Sequence, residues 1–268
     1  MFTQNDTAWV FHPDGNWFST DGKKWTKSTL TNVIYNLAFL DYVQFKGAIY
    51  GLGNFVGNIE TYSYKPEIYR TTNFKNWDTI SKSSNLPDRF FYHPFVFQDK
   101  IWFVGGEDKH RQYADVWNSS DGINWTKQKD NLPFGKRSGS QIVQLGEKLF
   151  LIGQDVWSSE NGLDWQLETK EILPGEKEFY PGTALVYDNK IWLLGCNRNG
   201  KFRSQVFVTS DGKNWKGLET PWSPRGGIAA TVFKDKIIMT GGKYGGLEED
   251  GVTTEFVYSN DVWTLSKK

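Results

Sequence analysis

Short apolar runs that close on glycine recur along the chain: IYGLG at 49–53, IWFVGG at 101–106, LFLIG at 149–153, IWLLG at 191–195 and IIMTGG at 237–242. Each follows a run of alternating apolar and polar residues and a polar turn, as in FVFQDK, IVQLGEK, ALVYDNK and TVFKDK. Alternation, a tight turn and an apolar run predict an antiparallel hairpin, strands a and b. A further copy opens the chain, where FTQNDTAWVF (2–11) lines up with FVFQDKIWFV (95–104).

Downstream of each hairpin lies a second one. The stretches STDGKKWTKS (19–28), SSDGINWTKQ (119–128), SENGLDWQLE (159–168) and TSDGKNWKGL (209–218) share a turn and a tryptophan beyond it. The series of post-turn tryptophans is Trp25, Trp77, Trp125, Trp165, Trp215 and, in a shortened copy, Trp263. Eight residues before the first five stand Trp17, Tyr69, Trp117, Trp157 and Phe207. A three-residue loop Ser120-Asp121-Gly122, with Gly122 in the left-handed region, would set Trp117 opposite Trp125 across strands c and d. In the second copy Asn73-Phe74 stands in for Asp-Gly, so a different turn is expected there. Every unit thus reads as four short antiparallel strands. Six units fit the chain. Five remain the alternative, with the N-terminal strands completing the last unit, because the first a-strand is a stub.

These repeats resemble the kelch-type β-propeller, including the central domain of galactose oxidase, over nearly the whole chain. The glycine pair after strand b is intact at Gly105-Gly106 and Gly241-Gly242 and altered elsewhere, as at Gly195-Cys196 and Gly153-Gln154. The Ser-x-Asp-Gly-x-x-Trp turn is similar to the Asp-box of sialidases, with one residue fewer between Asp and Gly. The resemblance implies an all-β propeller of four-stranded antiparallel blades of about 45 residues. It would form one domain over 1–268, its first inner strand truncated at the N-terminus. Aromatic residues would fill the gaps between blades.

Composition narrows the functions. Lysine plus arginine and aspartate plus glutamate both number 31, so no net field favours nucleic acid or an anionic membrane, and neither is expected as a partner. A single cysteine excludes an internal disulfide framework and a cysteine-built zinc site. No apolar run approaches a membrane span, and MFTQNDTAWV lacks a signal-peptide pattern. The compartment stays open, with the cytoplasm favoured unless a signal was removed, and a monomer is expected. The aromatic load of 13 Trp, 12 Tyr and 19 Phe beside 27 Gly agrees with an all-β repeat.

The d–a and b–c connections are long and varied and would share one face, where binding groups usually sit on a rigid scaffold. The fourth unit has only Gln154-Asp155 between strands b and c, which would leave a notch in that rim. Arg89, Arg137 and Arg225 each lie 12 residues before their b-strand, while Leu37 and Phe179 hold the equivalent places in two other units. Three guanidiniums at one height would suit a carboxylate or phosphate; alternatively they would pair with backbone carbonyls or with acids of the neighbouring blade. Tyr92, His93 and Tyr180 would lie near the same mouth. His93 is the best candidate for a general base; His12 reads as a turn residue and His110 as a solvated loop residue. The loop acids Glu107, Asp108, Glu248, Glu249 and Asp250 are candidates for sugar chemistry or for a solvated surface. Galactose oxidase chemistry would need a copper site with two tyrosines, two histidines and a crosslinked cysteine; Cys196 and three unpaired-looking histidines do not supply one. No nucleotide or hydrolase motif occurs, and no cofactor or metal is expected. The expected function is binding of a carbohydrate or small anionic sugar derivative on this face. Two alternatives stay open: a sugar-acting enzyme, such as a sialic-acid-epimerase-like mutarotase or glycosidase, and a protein-interaction platform.

Overall fold

A computed structural model describes residues 1–11, 15–29, 40–56, 63–175, 178–245 and 256–267, with 54–56 as backbone only. His12, Leu37, Glu248, Glu249 and Asp250 lie outside the described residues. Among the described residues every element is a strand, and no helix is long and apolar enough to cross a membrane.

The strands form antiparallel sheets in chain order. Sheet one holds β1 (Phe2–Gln4), β2 (Thr7–Val10), β3 (Trp17–Ser19) and β4 (Thr26–Lys27). Sheet two holds β5 (Asp41–Phe45), β6 (Ala48–Val56), β7 (Ser63–Thr71) and β8 (Asp78–Ser81). Sheet three holds β9 (Phe95–Phe97), β10 (Lys100–Val104), β11 (Val116–Ser119) and β12 (Thr126–Lys129). Sheet four holds β13 (Gln141–Leu145), β14 (Lys148–Ile152), β15 (Val156–Ser159) and β16 (Gln166–Thr169). In sheet five, β18 (Thr183–Tyr187), β19 (Lys190–Leu194), β22 (Val206–Thr209) and β23 (Lys216–Leu218) pair in that order. A small rim sheet of β17 (Phe179–Tyr180), β20 (Asn197–Arg198) and β21 (Lys201–Phe202) stands beside it. In sheet six, β24 (Gly226–Val232) pairs with β25 (Ile237–Tyr244), and β25 pairs with β27 (Val262–Leu265). The short β26 (Val257–Tyr258) pairs with the far end of β25. Strands β1 to β4 pair among themselves, and none of them joins the last sheet.

The b-strands read as unbroken apolar runs because both of their faces are covered. In β10, β14 and β19 the first residue is exposed and the following four are buried. The hydrophobic core accordingly lies between sheets. One cluster joins Tyr50 and Ile68 of sheet two to Phe103 and Trp125 of sheet three. Equivalent clusters follow between sheets three and four, four and five, five and six, and one and two. A sixth and smaller one, built on Ala8, Phe233 and Ile238, joins the last sheet to the first and closes a ring.

The recurring turn is made by side chains. Ser119 Oγ accepts from the Gly122 amide at 2.8 Å, and Asp121 Oδ1 accepts from Ile123 N and Asn124 N at 2.8 Å each. Two orphan amides are thereby satisfied by one carboxylate. The turn at 71–76 does not differ, contrary to expectation. Asn73 Oδ1 accepts from Lys75 N and Asn76 N at 2.9 Å, and Phe74 takes the glycine's left-handed place at φ 61°. Its strain is offset by stacking on Trp9 at 4.7 Å and 7°. At the glycine of sheet three the reason is different. Gly122 has φ 78°, and a Cβ there would lie 2.7 Å from the Tyr50 ring of the preceding sheet.

Two further expectations are corrected. Residues 120–125 connect the c- and d-strands, so Trp117 faces Lys127, not Trp125. Trp125 instead turns into the gap toward sheet two and packs on Phe103 at 5.2 Å. Trp263 does not belong to the post-turn series: it sits on β27 opposite Met239, the place that Trp117 holds opposite Phe103.

Candidate functional site

Each of the three equivalent arginines meets an aspartate two residues before a c-strand tryptophan. Arg89 forms a two-pronged pair with Asp115, Nη1 to Oδ1 at 2.5 Å and Nη2 to Oδ2 at 3.2 Å. Its Nη1 also donates to Gly105 O at 2.9 Å, and Trp117 Nε1 donates to Asp115 Oδ2 at 2.8 Å. Arg137 pairs with Asp155 at 2.8 and 3.3 Å, and Trp157 Nε1 donates to the same carboxylate at 2.7 Å. Arg225 pairs with Asp261, which also accepts from Trp263 Nε1 at 2.7 Å. Where sheet five has Phe179 in place of the arginine, Gln205 and Phe207 replace aspartate and tryptophan, and Phe179 packs edge-on against Phe207 at 5.7 Å. The three positions change together, which marks them as one clamp tying each d–a connection to the start of strand c. The acids come from the arginine's own unit and not from the neighbouring blade as the alternative expectation had it, although the spacing Asp-x-Trp at 115–117, 155–157 and 261–263 was there to read.

The clamps differ in exposure. The Arg89 and Asp115 side chains are 5% and 7% exposed, and those of Arg137 and Asp155 15% and 26%. Burial works against ionisation of Asp155, but hydrogen bonds from Arg137 and Trp157 outweigh it and hold the carboxyl below its ordinary range. At Asp261 the Arg225 bonds do the same.

Of the six residues expected to form a site, the structure brings Arg137 and Tyr180 together. They line a cleft of about 400 Å³ over the notch of sheet four, on the face of the d–a and b–c connections. Its walls carry Gln112, Ser138, Ser140 and Gln154, and among the described residues its charges balance, Arg137 and Lys170 against Asp155 and Glu178. Ser138 Oγ donates to Glu107 Oε2 at 2.6 Å and receives Gln112 Nε2 at 3.0 Å, which fixes one wall. The other wall is the rim sheet, where Tyr180 pairs with Asn197 through the backbone. Tyr180 is 63% exposed there.

The remaining candidates lie elsewhere. Arg89 and Arg225 are buried in their clamps. Tyr92 is buried between sheets two and three, packed on Phe103 at 4.5 Å, and not on a surface. His93 precedes β9 with φ 43°, and its Nδ1 lies 3.9 Å from Asp41 Oδ1. Burial pushes the Asp41 carboxyl up to about 7 against an opposing bond from the Phe91 amide, and burial lowers His93. The His93 side chain is 40% exposed and that of Asp41 15%, so solvent reaches the imidazole more readily than the carboxyl. Asp108 caps the turn carrying exposed His110 and does not line the cleft. Burial raises the Cys196 thiol to about 12, so it is not a nucleophile at neutral pH. Among the described residues no three His, Cys, Asp or Glu side chains converge to hold a metal.

Four-stranded antiparallel sheets that bury their cores against one another around a closed ring, with the varied loops on one rim, define a β-propeller. The chain belongs to the family described as the DUF6242 beta propeller domain, whose model matches residues 1–209. It is also similar to the solved structure of YjhT, with a TM-score of 0.75 and 12% identity over 99% of this chain and 93% of that one. That identity makes it a likeness of fold alone. No curated protein matches the chain.

Proposed function

We propose that this propeller binds a neutral carbohydrate in the cleft between sheets four and five. One observation carries the reading: an exposed tyrosine on a hydrogen-bonded rim strand lines a polar concavity of sugar size whose charges, among the described residues, balance. The apolar face of a pyranose stacks on a ring such as Tyr180, while hydroxyls exchange hydrogen bonds with side chains such as Gln112, Ser140 and Gln154. Small-molecule sites commonly span about 300–1,000 Å³, which this cleft satisfies at its lower end. The anionic half of the earlier expectation weakens, because Asp155 already takes the guanidinium fork of Arg137. Calorimetric screening of neutral mono- and disaccharides against wild type and Tyr180→Ala tests the reading. Binding that falls about tenfold in the variant at unchanged melting temperature supports it. Equal binding to both proteins, or none to either, refutes it.

A second reading follows from Asp41 and His93. A neutral imidazole able to take the proton of an anomeric hydroxyl, beside a carboxylic acid able to protonate the ring oxygen as the C1–O5 bond opens, is the equipment for sugar mutarotation. Polarimetry of fresh anomers decides it: a rate above buffer that His93→Gln abolishes supports the reading, and a rate equal to buffer removes it.

A further inference from the structure

Two residues beyond each clamp arginine the backbone passes through the left-handed region. Gly139 holds this place at φ 70° and Gly227 at φ 65°, while the connection into sheet three puts Phe91 there at φ 58°. Sheet five has Pro181 at the equivalent place, and Phe39 of the second unit lies outside the described residues. Glycine adopts this conformation at no steric cost, whereas a side chain as large as phenylalanine is strained in it. Such strain persists where the surroundings over-determine the backbone. They do so at Phe91. Its amide donates to the Asp41 carboxyl of sheet two, and its carbonyl accepts from Gly139 N, on the connection into sheet four, at 2.8 Å. Phe90 beside it exchanges both of its backbone hydrogen bonds with Glu107 at 3.0 Å each.

Packing does not account for the ring. Phe91 meets Phe90 edge-on, with centroids 4.8 Å apart, and is still 52% exposed. Phe74, the other phenylalanine in a left-handed turn, is 2% exposed and stacked on Trp9. A phenyl ring on a fixed backbone, half in solvent, at a place that two sister units give to glycine, serves a contact outside the chain.

Phe91 adjoins the cleft of sheet four. Gly139, bonded to its carbonyl, lines that cleft. Glu107, bonded to Phe90, accepts from the lining residues Ser138 and Gln112. Gly139 offers no side chain at this lip, and a Cβ added there would meet no described atom within 4 Å. The cleft therefore has an exposed aromatic residue on its sheet-five side, Tyr180, and another past its sheet-three side, Phe91.

We infer that Phe91 is the platform of a second sugar subsite, so that the cleft takes a neutral oligosaccharide whose chain runs from Tyr180 across Gly139 to Phe91. The inference rests on the carbohydrate reading of the cleft and extends it from a single sugar to a chain. At about 400 Å³ the cleft is at the small end of ligand sites, and a longer chain has to leave it over a lip. The apolar face of a pyranose covers an aromatic ring, and a ring on a fixed backbone adds little ordering cost. Linkage of the two subsites by one ligand makes the second contact intramolecular, so affinity climbs with chain length.

Calorimetry with neutral gluco-, manno- and galacto-oligosaccharides, from monosaccharide to tetrasaccharide, tests the inference on wild type, Phe91→Gly, Phe91→Tyr and Tyr180→Ala. In the series that binds, wild type should hold the tetrasaccharide at least about tenfold tighter than the monosaccharide. Phe91→Gly should lose that gain and keep monosaccharide binding, Phe91→Tyr should keep both, and Tyr180→Ala should weaken both sugars alike. Because glycine relieves the left-handed strain, Phe91→Gly should melt no lower than wild type. A fall of more than about 6 °C would make Phe91 a packing residue and overturn the inference. Equal binding of short and long sugars by wild type, or a length gain that survives in Phe91→Gly, also overturns it and leaves the carbohydrate reading in place. No binding of any sugar removes that reading and the inference with it.

Discussion

Asp115→Gln isolates the most buried of the three clamps. The substitution removes the charge that answers Arg89, both side chains being less than a tenth exposed, and disturbs three donated hydrogen bonds at once. Arg89 is then left as a buried cation with the Gly105 carbonyl as its remaining oxygen partner. Breaking a buried pair by removal of one partner costs about 3–5 kcal/mol. For a chain of this size that corresponds to a fall in melting temperature of about 6–20 °C. The cost should decline through Asp155→Gln to Asp261→Gln, whose carboxylates are 26% and 39% exposed. Sheet five shows how the same place is filled without charge, by Phe179, Gln205 and Phe207. The triple variant Arg89→Phe, Asp115→Gln, Trp117→Phe should therefore recover more than half of the loss seen in the single variant. Guanidinium denaturation at constant m-value, with melting in parallel, measures all of these. A single variant that costs under about 1 kcal/mol, or a triple variant as unstable as the single, would refute the clamp as the unit holding strand c to the d–a connection.

Other outcomes follow from the same structure. Folded Asp41 titrates near 7 against an ordinary 3.8, so the folded state holds a proton that the unfolded chain releases. Stability should fall as pH rises between those values, by up to about 4 kcal/mol, and Asp41→Asn should flatten that slope in denaturation series at pH 4 to 8. The turn acids oppose it in acid: two backbone amides hold Asp21 near 2, with its Ser19 bond helping, so their contribution is full above about 4 and fades as pH falls toward 2. Gly122→Ala should cost about 2–4 kcal/mol, since a left-handed residue there would also press a methyl on the Tyr50 ring. Gly146→Ala, at φ 62° with nothing within 4 Å, should cost about 1 kcal/mol and so separates backbone strain from contact.

Strands a and b were legible because burial on both faces writes itself directly as LFLI or IWFV, and the loop face was legible because its connections vary in length. The c–d turn was harder. Asp121 caps two amides and lengthens the connection, so Trp125 leaves its own sheet for the preceding one, an outcome set by residues such as Ile68 and Tyr50, 57 and 75 positions earlier in sequence. Trp263 falls outside the post-turn series, because equal spacing is a weaker guide than the local pattern Asp-x-Trp. The arginine register was readable, but its meaning depends on carboxylates 18 to 36 residues further on. The cleft was visible only as the notch at Gln154-Asp155; that Tyr180 lines it comes from the rim sheet, whose two-residue strands carry no periodic signal.

The most direct measurement compares glucose-type neutral sugars with the corresponding uronic acids by calorimetry at low and high salt. A site whose guanidinium is already matched should bind the neutral sugar at least as tightly as its acid, with an affinity that changes less than about twofold between 50 and 500 mM salt. Tighter binding of the acid by about tenfold, collapsing at high salt, would contradict the account and return Arg137 to the role of anion receptor.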